Sequence, residues 1–277
     1  MNDMAADLLE QVVHIACDAG RRILDIYERG FSVTEKEDGS PLTEADRAAH
    51  ECITAGLIAL TPDVPVLSEE SVAIPYETRA KWPRFWLVDP LDGTREFINR
   101  RGDFTVNIAF IEGRQPVLGV VYAPVSGAAY FAARGKGAFE QIGTCGHTPI
   151  QARRYQSGKA IVAASRSHAG EHMAAFLARL KDREGVFESI SMGSALKLCL
   201  VATGKADVYP RLGPTSEWDT AAAQCVVEEA GGRVIDASGA PLMYNKPSIL
   251  NPWFLCCGAG NYDWTQFLPA EARQRSA

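Results

Sequence analysis

The apolar run Trp86-Leu87-Val88 stops abruptly at Asp89-Pro90-Leu91-Asp92-Gly93-Thr94, which holds two carboxylates, a proline, a glycine and a hydroxyl and continues as Arg95-Glu96-Phe97. Such a run reads as a buried strand that empties into a site. Aspartates three apart with Pro-Leu between them can turn both carboxylates and the Leu91 carbonyl into one pocket, because proline fixes φ and glycine permits a sharp turn. An all-oxygen, thiol-free cluster suits Mg²⁺ better than zinc, since Mg²⁺ takes oxygen ligands and keeps positions for water and phosphate. The competing reading is an Asp-rich turn followed by a helix capped near Thr94, since Asp, Pro and Gly also dominate ordinary turns.

With 277 residues and 47% hydrophobic content, the chain can bury a large core as one big domain or two abutting ones. The seven cysteines (17, 52, 145, 199, 225, 256 and 257) are odd in number and lack a CxxC pair, which argues against a disulfide framework and a zinc ribbon. A net charge of −6, from 28 basic and 34 acidic residues, speaks against a nucleic-acid polymer as partner and leaves a small molecule as the expected ligand. No apolar run approaches bilayer length, and Met1 to Asp7 lack the basic start and apolar core of a signal peptide, so a cytoplasmic location is expected.

Apolar positions from Leu8 to Ile26 recur at helical spacing and predict a long amphipathic helix from about Asp7 to Glu28, with a second helix from Thr43 to about Leu60. Thr43-x-x-Asp46 ahead of that second helix resembles a capping box, and spacing alone favours the cap. Val64 to Leu67 reads as a short strand delivering Ser68, Glu69 and Glu70. After the central stretch, Thr105 to Ile111, Pro116 to Tyr122 and Ala128 to Ala132 predict an antiparallel meander. The Arg134-Gly135-Lys136-Gly137 segment lacks the Walker spacing and reads as a tight turn. A boundary is expected within Gly143 to Pro149, dividing residues 1–147, an α+β unit with the metal-binding loops, from residues 148–277. Beyond it, strands at 160–164, 186–190, 206–209 and 233–235 alternate with helices at 170–180, 193–202 and 219–230, as in an α/β unit carrying Asp219. Asp219 itself reads as the N-cap of the last of these helices.

Several blocks together carry a family resemblance: Ser40-Pro41-Leu42-Thr43-Glu44-Ala45-Asp46, Val66-Leu67-Ser68-Glu69-Glu70, the central stretch, Gly119 to Pro124, Ser165-Arg166-Ser167-His168, Gly193-Ser194-Ala195-Leu196-Lys197, Tyr209-Pro210-Arg211 and Trp218-Asp219-Thr220-Ala221. In this order they resemble the lithium-sensitive, magnesium-dependent phosphatases of the inositol monophosphatase superfamily, and within it the bacterial bisphosphate nucleotidases. The resemblance implies a layered α-β-α-β-α sandwich of mixed α/β class. It also implies two or three Mg²⁺ ions held by Glu69, Asp89, the Leu91 carbonyl, Asp92 and Asp219, with Asp46, Thr94 and Glu69 as catalytic groups. Glu69, Leu91, Asp92, Gly93, Thr94, His168, Ser194, Lys197, Arg211 and Asp219 are the substrate contacts that it implies.

The substrate so implied is adenosine 3',5'-bisphosphate or its 2',5' isomer, a by-product of sulfate assimilation, with inositol monophosphate or another sugar phosphate as the alternative. Lys197 and Arg211 favour the nucleotide, because Arg by a bidentate fork and Lys as a point charge suit a second phosphate. So does Gly93-Thr94-Arg95-Glu96-Phe97, where the inositol enzymes typically read Gly-Thr-Thr-Asn-Phe. A metal-dependent nucleotide sensor is the rival from another class. Relatives also include monomers, homodimers and proteins peripheral at the inner membrane face, though no basic amphipathic helix stands out here. No Gly-x-Ser-x-Gly elbow competes as a nucleophile.

Overall fold

The helical spacing from Leu8 to Ile26 winds into α1 (Asn2–Arg29) in a computed structural model that describes residues 2–35, 41–71, 73–143, 145–165, 170–269 and 271. A β1 (Val33–Glu35) and β2 (Pro41–Thr43) ribbon leads into α2 (Glu44–Leu60), then β3 (Val66–Ser68), the single turn α3 (Tyr76–Arg79), β4 (Arg84–Asp92) and the short α4 (Thr94–Ile98). The meander follows as β5 (Thr105–Glu112), β6 (Gln115–Ala123), β7 (Ala128–Ala133), β8 (Ala138–Ile142) and β9 (Thr148–Ile150). The remainder runs β10 (Ala160–Ser165), α5 (Glu171–Glu184), β11 (Phe187–Met192), α6 (Leu196–Ala202), β12 (Val208–Arg211), α7 (Glu217–Glu229), β13 (Arg233–Asp236), β14 (Phe254–Cys257) and a 3₁₀ turn at Trp264–Phe267.

Among the described residues β3 to β9 form a seven-stranded sheet in sequence order, antiparallel except for the parallel pair β3–β4. A five-stranded sheet has the order β11-β10-β12-β14-β13. Its first pairs are parallel, as strand–helix alternation requires, but β14 enters antiparallel between β12 and β13. The short β8, β9 and β14 escape the sequence reading because none has an alternating pattern long enough to distinguish it from a loop.

Three apolar interfaces give the layers. Val12, Ala16, Ile23, Ile53 and Leu57 of α1 and α2 pack on Trp86, Val88, Ile108 and Val120. The opposite face of that sheet, through Leu87, Ala109 and Val121, meets α6 and α7, which also touch Tyr209 and Phe254 of the second sheet. Phe176 and Leu180 of α5, with Trp264 and Phe267, cover that sheet's outer face. The result is the α-β-α-β-α sandwich. Gly119 sets how close α7 lies, because a Cβ there would meet the Ala222 carbonyl oxygen at 2.1 Å. The Arg134–Gly137 turn holds no phosphate-loop role: Glu229 at the end of α7 accepts the Gly135 and Gly137 amides, each at 3.0 Å.

Candidate active site

The apolar part of β4 is buried on both faces and pairs Asp89 with Asn107, after which the register with β5 shifts before Asp92 meets Thr105. The shift falls at Pro90-Leu91, since proline cannot donate to the ladder, and it lets both aspartates line one cavity of about 310 Å³. Gly93 follows at φ +93°, a conformation only glycine takes cheaply, and turns the chain into α4. The helix does follow the turn, but its N-cap is Gly93, and Thr94 is left to point its hydroxyl at the Leu91 carbonyl, 3.2 Å away, and at Asp46 Oδ1, 3.4 Å away.

Glu69 reaches the same cavity because its amide extends the β3–β4 pairing, donating to the Val88 carbonyl at 3.1 Å. Asp46 and Asp219 arrive by a different device. Each is the third residue of a helix and closes a capping box, Asp46 with Thr43 on α2 and Asp219 with Ser216 on α7. The expectation that Asp219 is itself the N-cap is corrected: Ser216 takes that position because its backbone is extended, and Asp219 lies one turn further in. Asp219 Oδ2 accepts the Ser216 amide at 2.9 Å, while the residue borders the cavity. Asp46 Oδ2 accepts both the amide and the hydroxyl of Thr43, at 2.8 and 2.7 Å, so cap and site share one carboxylate. Asp46 stands behind Thr94 and does not itself line the cavity.

The cavity also takes in Leu91, Gly93, Ser194, Lys197 and Arg211, so the first half of the chain and the second meet there. His168 lies outside the described residues. The sequence reading overlooked Asn107, 1% exposed, whose amide reaches Asp92 at 3.5 Å while its oxygen accepts the Thr105 hydroxyl at 2.9 Å. A polar residue in the middle of the apolar run Val106 to Ile111 was the available signal. Tyr209 was read only as part of a motif, yet its ring lies 5.3 Å from the Lys197 ammonium.

Charge in this cavity is far from balanced. Burial holds the Asp89 carboxyl well above the usual range, and the neighbouring Glu69, Asp92, Asp219 and Asp46 add to it. Asp219 is pushed up to about 8 by burial and by Asp92. Asp92 rises to about 6 through burial, restrained by Lys197 and the Ala195 amide. Lys197 falls to about 8 because burial outweighs its attraction to Asp92. Among the described residues, none of the three aspartates has a basic side chain within 4.0 Å. Buried carboxylates without a contacting cation are costly even where amides donate to them, and a divalent cation is the partner that removes the cost. The donors fit Mg²⁺ in kind, being carboxylates and the Leu91 carbonyl with no thiol or imidazole among the described lining residues. No three His, Cys, Asp or Glu side chains among the described residues are drawn into a ready metal group. Mg²⁺ tolerates that, since it normally completes its octahedron with water and substrate phosphate.

A family model, the inositol monophosphatase family, matches residues 4–263. The chain belongs to the inositol monophosphatase family. Among its relatives in that family, the 3'(2'),5'-bisphosphate nucleotidase CysQ of Salmonella typhimurium is 48% identical over 250 residues, 89% of this chain and 98% of that protein. The CysQ of Aggregatibacter actinomycetemcomitans is 39% identical over 264 residues, 94% of this chain and 96% of that one. The crystal structure of CysQ from Bacteroides thetaiotaomicron superposes with a TM-score of 0.82 at 44% identity, covering 91% of this chain and 97% of that one. An inositol monophosphatase from Anabaena, 24% identical with a TM-score of 0.75, shares the fold.

Proposed function

We propose that the protein is a Mg²⁺-dependent phosphomonoesterase that converts adenosine 3',5'-bisphosphate, or the 2',5' isomer, and water to AMP and phosphate. The observation that carries this reading is a single cavity bordered by Glu69, Asp89, Asp92 and Asp219 together with Arg95 and with the two cationic side chains assigned here to phosphate, Lys197 and Arg211. The carboxylates suit metal-assisted phosphoryl transfer, and the two cations suit a second phosphate that a simple monophosphate ester lacks. The CysQ relatives, named for that activity, support the choice of substrate.

Glu69, Asp89, Asp92, Asp219 and the Leu91 carbonyl would hold two or three Mg²⁺ ions. Such ions, when bound, neutralise charge on the phosphoryl oxygens and acidify water. Thr94 orients the attacking water and takes its proton as its own hydroxyl proton passes to Asp46, the carboxylate behind it that accepts from that hydroxyl. The water oxygen forms the new bond to phosphorus as the bond from phosphorus to the ribose oxygen breaks, and that oxygen takes a proton from solvent. Arg211 and Lys197 hold the other phosphate, with Ser194 beside the nucleotide; His168, outside the described residues, is a further nucleotide contact that the family resemblance implies. Recycling of the nucleotide left by sulfate assimilation, sensitivity to Li⁺ and a cytoplasmic location belong to the same proposal. Among the described residues no helix is long and apolar enough to cross a membrane.

The experiment is a panel of esters assayed with Mg²⁺, with and without Li⁺ and Ca²⁺: both adenosine bisphosphates, 3'-phosphoadenylyl sulfate, inositol 1-phosphate and fructose 1,6-bisphosphate. The expected outcome is fastest phosphate release from the adenosine bisphosphates. Equal or faster release from inositol 1-phosphate would overturn the substrate, and nucleotide binding without any hydrolysis would overturn the enzyme in favour of a sensor.

A further inference from the structure

The turn that precedes α6 has an unusual backbone for its sequence. Ser194 sits at φ +46°, a left-handed conformation that non-glycine residues rarely adopt and that persists only where the surroundings hold it. Gly193 beside it is pressed against the first half of the chain. A Cβ there would lie 2.5 Å from the Asp103 carbonyl oxygen and 2.8 Å from Glu96 Cγ, and the Gly193 amide donates to Asp103 Oδ2 at 3.3 Å.

The peptide group between Ser194 and Ala195 is gripped at both ends. Its oxygen accepts a hydrogen bond from the Lys197 ammonium at 2.6 Å, and its N–H donates to Asp92 Oδ2 at 2.6 Å. Cation, carbonyl, amide and carboxylate therefore follow in a line in which each dipole faces the charge that it prefers, and charge-assisted bonds of this length are the strong ones. Lys197 is 5% exposed, and among the described residues no carboxylate lies within 4.0 Å of its ammonium. Its one hydrogen bond among those residues goes to this carbonyl. An ammonium has three donors, so the others remain available to an anion in the cavity that Lys197 borders.

We infer that Lys197 is a positioning residue for Asp92, acting through the Ser194–Ala195 peptide, in addition to any direct contact with substrate. The inference rests on the reading of Asp92 as a cation ligand. It couples two parts of the site: an anion that draws the ammonium toward itself also pulls on the peptide that fixes the Asp92 oxygen. Asp92 is thereby set by a residue from the other half of the chain, 105 positions beyond the central stretch's own second aspartate in numbering.

The test separates this role from that of a phosphate handle by removing the second phosphate. Mn²⁺ binding to the substrate-free protein, measured by titration calorimetry, and the Mg²⁺ activation constant with p-nitrophenyl phosphate are compared for the unaltered protein, Lys197→Met, Lys197→Arg and Asp92→Asn. Loss of an outer partner of a metal ligand typically weakens metal affinity about 10–100-fold. Lys197→Met should weaken Mn²⁺ binding at least about tenfold and raise the Mg²⁺ requirement alike, with partial rescue in Lys197→Arg. Unchanged Mn²⁺ binding in Lys197→Met, with only a higher KM for adenosine bisphosphate, would overturn the inference. Unchanged Mn²⁺ binding in Asp92→Asn would instead overturn the reading of Asp92. Should Lys197→Met fail to fold by circular dichroism, Lys197→Leu, which likewise removes the donor to the Ser194 carbonyl, is read by the same criteria.

Discussion

Asp89 is 1% exposed, and among the described residues the only hydrogen bond it accepts comes from the Leu91 amide, at 3.1 Å. Its ionised form is therefore a liability for the metal-free fold and an asset once a cation arrives. Asp89→Asn should abolish Mg²⁺-dependent phosphate release while raising the melting temperature of the metal-free protein, because it deletes a buried charge without changing shape. A variant that retained near-normal turnover would refute the assignment. The same imbalance sets a pH dependence. Asp92 at about 6 and Asp219 at about 8 keep protons in the folded chain that the unfolded chain, with carboxyls near 3.8, has released. Their contribution to stability is full below about pH 4 and is lost as pH rises through 6 and then 8. Melting of the EDTA-treated protein should accordingly drop over that range, and added Mg²⁺ should restore most at the alkaline end. A melting temperature that rose with pH in EDTA would contradict this.

At the scale of elements, α7 has the most demanding position, since it lies between the two sheets and carries Asp219 near its start. The approach depends on small residues, Gly119 on β6 facing the Ala221–Ala223 stretch of the helix. Gly119→Ala should cost about 1–3 kcal/mol in denaturant unfolding, as overpacking does, and should also weaken Mg²⁺ activation because the displaced helix carries Asp219, a ligand in the proposed function. A loss of stability with unchanged Mg²⁺ dependence would show that α7 adjusts without moving Asp219. The two capping boxes make a related point about elements. Helix starts have unsatisfied amides and a favourable field for anions, so an aspartate three residues in can serve the helix and the site with its two oxygens.

Across the whole molecule, the middle apolar layer contains Leu87 and Ala132 of the larger sheet together with Tyr209 and Phe254 of the smaller one, and the candidate-site cavity opens at the same junction. A shared core couples the halves, so guanidinium unfolding should give one transition seen alike by tryptophan fluorescence and circular dichroism. Two separated transitions would show that the halves fold independently. Much of this was legible beforehand: Trp86 to Val88 announced a buried strand and Leu8 to Ile26 a helix face, because each of these signals repeats at the period of its element, and the two aspartates around Pro90-Leu91 a pocket that both line, because that signal is local. Asn107, the antiparallel entry of β14 and the rank of Asp219 within its capping box were not, since a single polar residue, a four-residue strand and a helix start one turn away carry weak local signals. The sequence alone determined which chemistry the chain could hold, through its oxygen-rich, thiol-free motifs. Only the tertiary structure decided that Asp92 would meet the Ala195 amide and that Asp46 would stand behind Thr94, because those contacts join segments far apart in the chain and depend on how closely the layers pack.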